Sequence, residues 1–340
     1  LELLASPAVA SRRILYRTYD SMVGTDTVVG PGGDAAVLRI KGRPDGIALA
    51  IDAQPRVAAL DPYVGAACAV AEATRNLVCM GAEPLALTDC LNLGNPERPA
   101  GAWRLARTVA GVGDACRALG VPVVSGNVSL YNATRSDAAR SDATRSDATR
   151  SDATRSDAAR SDAARVDAAF AVEGSRDIWP TATVGAVGHL PDVTRYLPVT
   201  SGVTGDVVLL AGSADVSLGA SAYGALRGVH GGLVATAHGG PVASVHGGLV
   251  ATAHGGPVAG THGGPVAGAH GGPVSIDLAL EARLQRLVLD AHAVGHVRAA
   301  HDRSEGGLAV ALAELVLRDG VGLRAPLPAR RCIRSVGERV

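Results

Sequence analysis

The hydrophobic and polar positions of the first 120 residues predict alternating strands and helices. Apolar runs at 37–40 and 47–51 predict two short strands, joined by the turn-rich segment KGRPDG. Asp61 and Pro62 then supply a helix N-cap and a first-turn proline. The apolar positions that follow recur with helical spacing, so they predict a helix over about 63–79 that ends at Gly81.

A strand–helix–strand unit follows. An apolar run predicts a strand at 85–91, and a helix is predicted over about 100–119, closed by Gly120. The next strand is predicted at 121–124, and the polar residues after it are consistent with either a turn or the end of the strand at a ligand. This succession is typical of a βαβ unit in an α/β protein.

A second α/β domain is predicted from about residue 191. Strands are predicted at 181–190 and 206–211, an amphipathic helix at 276–297, and a last helix from a cap at Ser304 to about Leu317. The predicted domains are 1–190, with an insertion at 133–171, and 191–325, with a repeat insertion at 230–274. An atypical tail covers 326–340.

The two insertions are repetitive. Seven pentapeptides such as ATRSD fill 133–167, and their period of five fits neither a helix nor a strand, which predicts a solvated loop, partly helical or irregular. Six HGG units lie eight residues apart within 230–274. Their histidines leave open a metal-binding or interaction protein, which a tight Ni²⁺ or Zn²⁺ titration lost on deleting 230–274 would support. The glycines after each histidine give no fixed orientation, so a tolerated loop insertion is the preferred interpretation.

Composition narrows the function further. The chain has 340 residues, no formal net charge and 3% aromatic residues, which argues against nucleic acid as a partner. No long uncharged apolar run predicts a membrane span, and no signal-peptide pattern is present. The five cysteines include no CxxC pair, so free thiols in the cytoplasm are predicted. The ends suggest a piece of a longer protein.

Polar residues cluster where the predicted strands end. In open α/β folds this is where ligands bind; carboxylate and amide oxygens suit Mg²⁺, and glycine lets the backbone approach phosphates. Each position has a simpler interpretation as a turn or a cap, and no GxxxxGK[ST] motif is present. The candidates are Asp34, Asp52, Asp89, Gly126, Asn127 and Ser129.

Longer motifs make the sequence recognisable. The segments GPGGDAAVLRI, YVGAACAVAEATRN, TDCLNLGNPERP, SGNVSLYN and AHDRSEGGLAVALAEL resemble the second half of the bacterial large-subunit type of phosphoribosylformylglycinamidine synthase. The resemblance covers about 1–132 and 172–320. It implies an α/β fold like that of aminoimidazole ribonucleotide synthetase, with an N-terminal domain that pairs into a shared barrel and a C-terminal α/β domain.

The resemblance also implies a chemistry. In that family ATP activates the amide of formylglycinamide ribonucleotide, and ammonia from glutamine then displaces phosphate to give the amidine. It implies ATP contacts at Asp89 and Gly126, a Mg²⁺ ligand at Asn127 and a substrate contact at Ser129. Asp34 and Asp52 are further candidates for a nucleotide or metal site.

The same resemblance implies what this chain lacks. The family's catalytic histidine belongs to the first half, so no catalytic residue is expected here and the chain alone is expected to be inactive. A glutaminase subunit, a small accessory subunit and the missing first half are the implied partners. Another synthetase or kinase of the superfamily, such as thiamine-monophosphate kinase or selenophosphate synthetase, is the alternative.

Overall fold

The computed structural model describes residues 2–135, 171–172, 175–200, 206, 208–212, 220–227, 274–319 and 322. The HGG repeat, most of the pentapeptide repeat and the predicted tail at 326–340 lie outside the described residues. The first three residues of the pentapeptide repeat form a strand, where a loop or partial helix was predicted.

The N-terminal part is a meander preceded by two short helices. A strand of three residues and its two longer neighbours pair in antiparallel fashion. The elements are α1 (Glu2–Ala5), α2 (Arg13–Tyr16), β1 (Thr27–Val29), β2 (Ala36–Arg39) and β3 (Gly46–Ala53).

Two helices and two strands follow in the predicted order. After α3 (Pro55–Leu60), the carboxylate of Asp61 accepts from the backbone N–H groups of Tyr63 and Val64 and caps the next helix, as predicted. Gly120 closes the later helix with a φ of 70°, which glycine adopts at low cost. These elements are α4 (Pro62–Cys79), β4 (Glu83–Asn92), α5 (Pro99–Leu119) and β5 (Val123–Ser129).

The six-stranded sheet has the order β1-β2-β3-β9-β4-β5, where β9 spans Thr181–Leu190 as predicted. Strand β5 runs parallel to β4, which confirms the predicted βαβ unit, and it is the terminal strand of the sheet. Helices α4 and α5 pack together. The core beneath them is made largely of alanine, valine and leucine side chains from α4 and the inner face of the sheet.

The opposite, outer face of the sheet has no helix against it among the described elements. Its exposed residues include Leu49 and Ile51, at 41% and 76% exposure. We define this outer face by its paired rows: Ala36, Leu38, Leu49, Ile51, Ala53, Ala86, Thr88, Cys90, Asn92, Ser125, Asn127, Ser129, Thr181, Thr183, Gly185 and Val187. The Leu38 row continues through Ile47 and His189 to Glu83 at the start of β4. Among the described strands, Glu83 is thus the one Asp, Glu, Lys or Arg side chain in the paired rows of this face, and the residues named above are uncharged.

A smaller sheet and three further helices complete the described chain. Strands β6 (Ala133–Arg135), β7 (Ala171–Val172) and β8 (Ser175–Asp177) form a three-stranded sheet. Helix α7 packs against α4 and α5. The helices are α6 (Ala222–Arg227), α7 (Leu278–Ala293) and α8 (Gly307–Asp319).

One predicted strand has the wrong bounds and another is not formed by the described residues. The strand predicted at 121–124 begins at Val123 and continues to Ser129, because parallel pairing with β4 keeps extended the polar residues for which a turn was one interpretation. The described residues within 206–211 form no strand and include a single bridge residue, Leu209. An apolar run becomes a strand only where a ladder of backbone bonds continues over several residues.

Candidate nucleotide-binding edge

Pairing of β4 with β5 brings four predicted residues together at one end of the sheet. Asp89 lies opposite Gly126, and the next pairs along the ladder place Asn127 opposite Cys90 and Ser129 opposite Asn92. Both strands run in the same direction and end here, so their carboxyl ends form one edge. This is the location that open α/β sheets use for ligands.

The four residues nevertheless face two ways. Successive side chains of a strand point to opposite faces. Asp89 shares the inner face with Gly126, and a Cβ atom added to Gly126 would overlap the Asp89 carboxylate. Asn127 lies on the outer face, where its Nδ2 is 3.7 Å from Sγ of Cys90. Ser129 shares that outer face, so the predicted ATP and Mg²⁺ contacts lie on either side of β5.

The exposed edge of β5 gives a ligand access to residues on both faces of the sheet. Among the described strands it is terminal and pairs on one side only, and residues 122–128 are exposed. A terminal strand presents unpaired backbone N–H and C=O groups. A ligand that lies along this edge can therefore contact the backbone of Gly126 and the side chain of Asn127 at once.

Asp89 lies in a partly dehydrated position. Burial raises the pKa of its carboxyl. The neighbouring glycine leaves room for that carboxylate, so glycine at position 126 serves local packing as well as close approach.

Asp52 lies on the inner face in the same row as Asp89. Both residues pair with Val184 of β9, so they are two strand spacings, about 10 Å, apart. Nδ2 of Asn76 on α4 donates to Asp52 Oδ2 at 2.7 Å. The structure therefore places Asp52 beneath α4 and away from the edge of β5.

Asp34 and Asp52 belong to a buried charged cluster that joins α4 to α7 and to the loop before α8. Arg75 lies at its centre and is 1% exposed. Its Nε donates to Asp302 at 2.6 Å and its Nη1 to Glu281 at 2.8 Å. We define the cluster as Asp34, Asp52, Glu72, Arg75, Glu281, His301 and Asp302.

The acids of this cluster repel one another. Burial, together with the charge of Asp302, raises the pKa of Asp52 to about 7. Burial also raises the pKa of Asp34, although its hydrogen bond with His301 opposes the change. Glu72 is affected in the same direction, with burial and the charge of Asp52 raising its pKa.

His301 bridges two acids. Its Nδ1 is 2.8 Å from Oδ1 of Asp34, and its Nε2 is 3.0 Å from Oε2 of Glu314 on α8. Burial alone would lower the pKa of His301, but the hydrogen bonds to the two carboxylates outweigh it and raise the pKa to about 10. The imidazole is therefore a cation at neutral pH and offsets part of the negative charge.

The fit of a metal differs between the two places. At the β5 edge, Asn127 offers one amide oxygen, which suits Mg²⁺ because this ion keeps several waters and shares phosphate oxygens. In the buried charged cluster, Oδ2 of Asp302 is buried without a hydrogen-bond partner among the described residues. Even so, the described part of the chain contains no group of three His, Cys, Asp or Glu side chains arranged to hold an ion.

Sequence reasoning missed Glu72, Arg75 and Asn76, and it did not link the loop residue Asp302 to them. A signal was present, because Glu72, Arg75 and Asn76 are spaced by three and four residues on a helix that is otherwise almost wholly apolar. Charged residues at such positions are buried only when they are paired. Their partner at 302 lies more than two hundred residues away, and no local pattern links the two.

The sequence matches a known family over both of its predicted domains. The family AIR synthase related protein, N-terminal domain, matches residues 32–140, and its C-terminal domain matches residues 203–335. The chain belongs to this family of α/β proteins. Within it, the sequence is similar to part of the second half of PurL, the subunit of phosphoribosylformylglycinamidine synthase, as the resemblance predicted.

The relatives are much longer than this chain. PurL of Moorella thermoacetica is 40% identical over 96% of this chain and 34% of its own length, and PurL of Thermomicrobium roseum is 42% identical over 95% and 33%. The chain therefore spans about a third of the curated relatives it matches. A solved structure described as PurLQS from Thermotoga maritima is 31% identical, covering 62% of this chain and 28% of that one, with a TM-score of 0.44. Another is T. maritima PurL complexed with ATP, at 29% identity, 60% and 27% coverage and a TM-score of 0.41.

Two further expectations concern the described residues. Cys68, Cys79, Cys90 and Cys116 are free thiols, as predicted. Within the described chain, no helix combines the length and hydrophobicity needed to cross a bilayer.

Proposed function

We propose that the chain is one synthetase half of a purine-pathway ligase. The ligase would convert formylglycinamide ribonucleotide, ATP and glutamine-derived ammonia to formylglycinamidine ribonucleotide. The observation that carries the proposal is the register of β5 on β4, which gathers Asp89, Gly126, Asn127 and Ser129 at one open edge. The names of the PurL relatives support the reaction class.

The roles of the edge residues follow from their chemistry. The backbone of Gly126 approaches the nucleotide phosphates, and the Asn127 amide oxygen holds Mg²⁺, which would compensate phosphate charge during phosphoryl transfer. The carboxylate of Asp89 receives hydrogen bonds from the nucleotide. Ser129, the next residue beyond Asn127 on the same face of the strand, contacts the ribonucleotide substrate.

A second candidate position for a cation or nucleotide is the buried charged cluster, which contains Asp34 and Asp52. Asp302 Oδ2 has no hydrogen-bond partner among the described residues, and the pKa of Asp52 is raised to about 7; both indicate negative charge that is not fully compensated. A divalent cation there would relieve the repulsion.

The composition of the outer face supports the proposal that this chain depends on the first synthetase half. A sheet face in contact with water ordinarily carries polar and charged side chains, whereas this one exposes Leu49 and Ile51. The acid in its paired rows, Glu83, lies at the opposite end of β4 from Asn127 and Ser129. Asn127 and Ser129 lie on that same face. We therefore propose that the first synthetase half covers the outer face and supplies the catalytic groups, so that this chain alone forms no amidine. Glutaminase and small accessory subunits remain proposed partners, and the cytoplasm the proposed location.

Calorimetric titration of the chain with AMPPNP tests the nucleotide site. We expect AMPPNP to bind more tightly with Mg²⁺ than without it. Asn127→Ala is expected to reduce this Mg²⁺-dependent gain in affinity about tenfold. Ser125→Ala is the matched control, because it lies on the same strand and face but has no proposed contact. Equal effects of the two variants would contradict the assignment of Asn127.

An activity assay tests the dependence on the other half. The chain incubated with ATP, Mg²⁺, formylglycinamide ribonucleotide and ammonium ion is expected to form no amidine. Turnover at rates typical of enzymes, on the order of 1 per second or faster, would show that the chain is a complete catalyst.

A further inference from the structure

The side chain of Asn132 ties the end of β5 to the loop after β4. Its Nδ2 lies 2.9 Å from the carbonyl oxygen of Ser129, 3.0 Å from Oγ of Ser129 and 3.2 Å from the carbonyl oxygen of Leu93. Its Oδ1 lies 3.3 Å from the same Oγ. One amide therefore contacts both the backbone and the hydroxyl of the residue proposed to contact substrate.

The backbone around Asn132 is fixed as well. Its N–H donates to the carbonyl of Leu93 at 3.1 Å, and its own carbonyl accepts from Ile178 at 3.2 Å. The preceding Tyr131 has a φ of 61° and donates its N–H to Gly94 at 3.1 Å. A left-handed conformation at a bulky residue persists only where surrounding bonds hold it. The amide of Asn132 is thus presented to Ser129 by a turn that is pinned on both sides.

The two ends of the Asn132 amide do different things to the hydroxyl. A serine hydroxyl has one proton and two acceptor lone pairs. Nδ2, at 3.0 Å, occupies a lone pair and leaves the proton available, whereas Oδ1, at 3.3 Å, is a longer and weaker acceptor for that proton. Donation into the oxygen also strengthens the hydroxyl as a donor in its own right.

We propose that Asn132 is a positioning residue that holds the Ser129 hydroxyl as a hydrogen-bond donor to an oxygen of the ribonucleotide substrate. This inference rests on the proposed function, in which Ser129 contacts formylglycinamide ribonucleotide. When substrate binds, the O–H bond of Ser129 rotates, so its hydrogen bond passes from the weak acceptor Oδ1 to the substrate oxygen. Nδ2 keeps its hydrogen bond to Oγ.

Substituting Asn132→Asp reverses this arrangement at nearly constant size. The carboxylate replaces the Nδ2 donor with a second acceptor. This acceptor takes the hydrogen bond of the Ser129 hydroxyl, so the hydroxyl is no longer available as a donor to substrate. Asn132→Ala removes both ends of the amide and introduces no charge, so it serves as the second variant if Asn132→Asp does not fold.

The test is a double-mutant cycle on the affinity of the full chain for formylglycinamide ribonucleotide, measured by calorimetry. We expect Ser129→Ala and Asn132→Asp each to weaken binding about tenfold, Asn132→Ala about threefold, and the double variant Ser129→Ala/Asn132→Asp no more than about twofold beyond Ser129→Ala alone. Asn95→Ala is the matched control, because Asn95 bonds the N–H of Glu97 in the loop after β4 and is not bonded to Ser129. It should bind as the native chain does.

The free energy of unfolding of each variant is measured in parallel. A purely structural role of Asn132 would lower stability with no loss of affinity, or would weaken binding by the same factor whether or not the Ser129 hydroxyl is present. Either result overturns the inference. If the native chain binds AMPPNP but no ribonucleotide, the inference fails and the nucleotide part of the proposed function stands. If it binds neither ligand, both fail.

Discussion

Replacing Asp52 by asparagine tests the charge balance beneath α4. The Asp52 carboxylate is packed under that helix and accepts a hydrogen bond of 2.7 Å from Asn76. The amide oxygen of the substituted side chain can accept the same bond, so Asp52→Asn removes charge with little change of shape. Burial, followed by repulsion from Asp302, raises the pKa of the native carboxyl to about 7. Removing its charge should therefore stabilise the fold wherever the native group is ionised.

The sign and size follow from proton linkage. The folded pKa of about 7 exceeds the ordinary value of 3.8, so between these values the folded chain binds more protons than the unfolded one. Native stability consequently falls as pH rises through this window. A difference of about three pKa units corresponds to about 4 kcal/mol at most. Protonation of a neighbouring acid relieves part of the same repulsion, so we expect Asp52→Asn to gain about 2 kcal/mol at about pH 8 and nothing at about pH 4.

Urea unfolding in buffer with EDTA, at about pH 4 and about pH 8, measures this difference. Asp290→Asn is the control, because it removes an exposed carboxylate paired with Arg286 on α7 and should change stability by less than about 0.5 kcal/mol. Addition of Mg²⁺ then tests the second proposed cation position: it should stabilise the native chain at about pH 8 and have less effect on Asp52→Asn. A gain of equal size at both pH values, or a loss at about pH 8, would refute the charge argument.

Three further substitutions test the edge, the cluster and the outer face. Gly126→Ala should weaken AMPPNP binding at least about tenfold, because the new Cβ overlaps the neighbouring carboxylate, whereas Gly113→Ala, whose nearest neighbour is a flexible side chain at 3.4 Å, should bind normally. Arg75→Met should lower the free energy of unfolding in urea by about 3–5 kcal/mol, because it leaves buried acids without their cation. A variant as stable as the native chain would contradict the pairing. The native chain should self-associate in sedimentation velocity through its exposed outer face. Ile51→Glu should reduce that association, whereas Trp103→Glu on α5, also exposed, should not; equal behaviour of both variants would argue against the outer face.

Much of the α/β framework was predictable because its signals are local. Asp61 and Gly120 mark the ends of two helices through side-chain and backbone preferences that act within a few residues. The strand predicted at 181–190 has the predicted bounds, and its residues alternate between buried and half-buried along its whole length. By contrast, Ser125, Gly126 and Asn127 have turn-forming preferences, and they are extended only because β4 lies alongside. The pairing partner decides such cases, and it is not encoded in the window itself.

The candidate site shows the same division at a finer level. The resemblance named Asp89, Gly126, Asn127 and Ser129 together, and pairing does bring them to one edge. That they lie on opposite faces follows only once they are part of one continuous strand, since a turn would have let them converge. This difference changes the chemistry, because the ligand must then reach around the free edge of β5.

Strand β5 contains no charged side chain, and it forms the terminal strand of the sheet. An exposed terminal strand ordinarily carries charges or is covered, because its unpaired backbone invites association. Here the strand that holds Asn127 and Ser129 has neither protection among the described residues. A partner that covers the outer face would protect the edge and enclose the ligand in one step. Binding of substrate and association of the halves would then be linked, so substrate should favour the assembled form over the isolated chain.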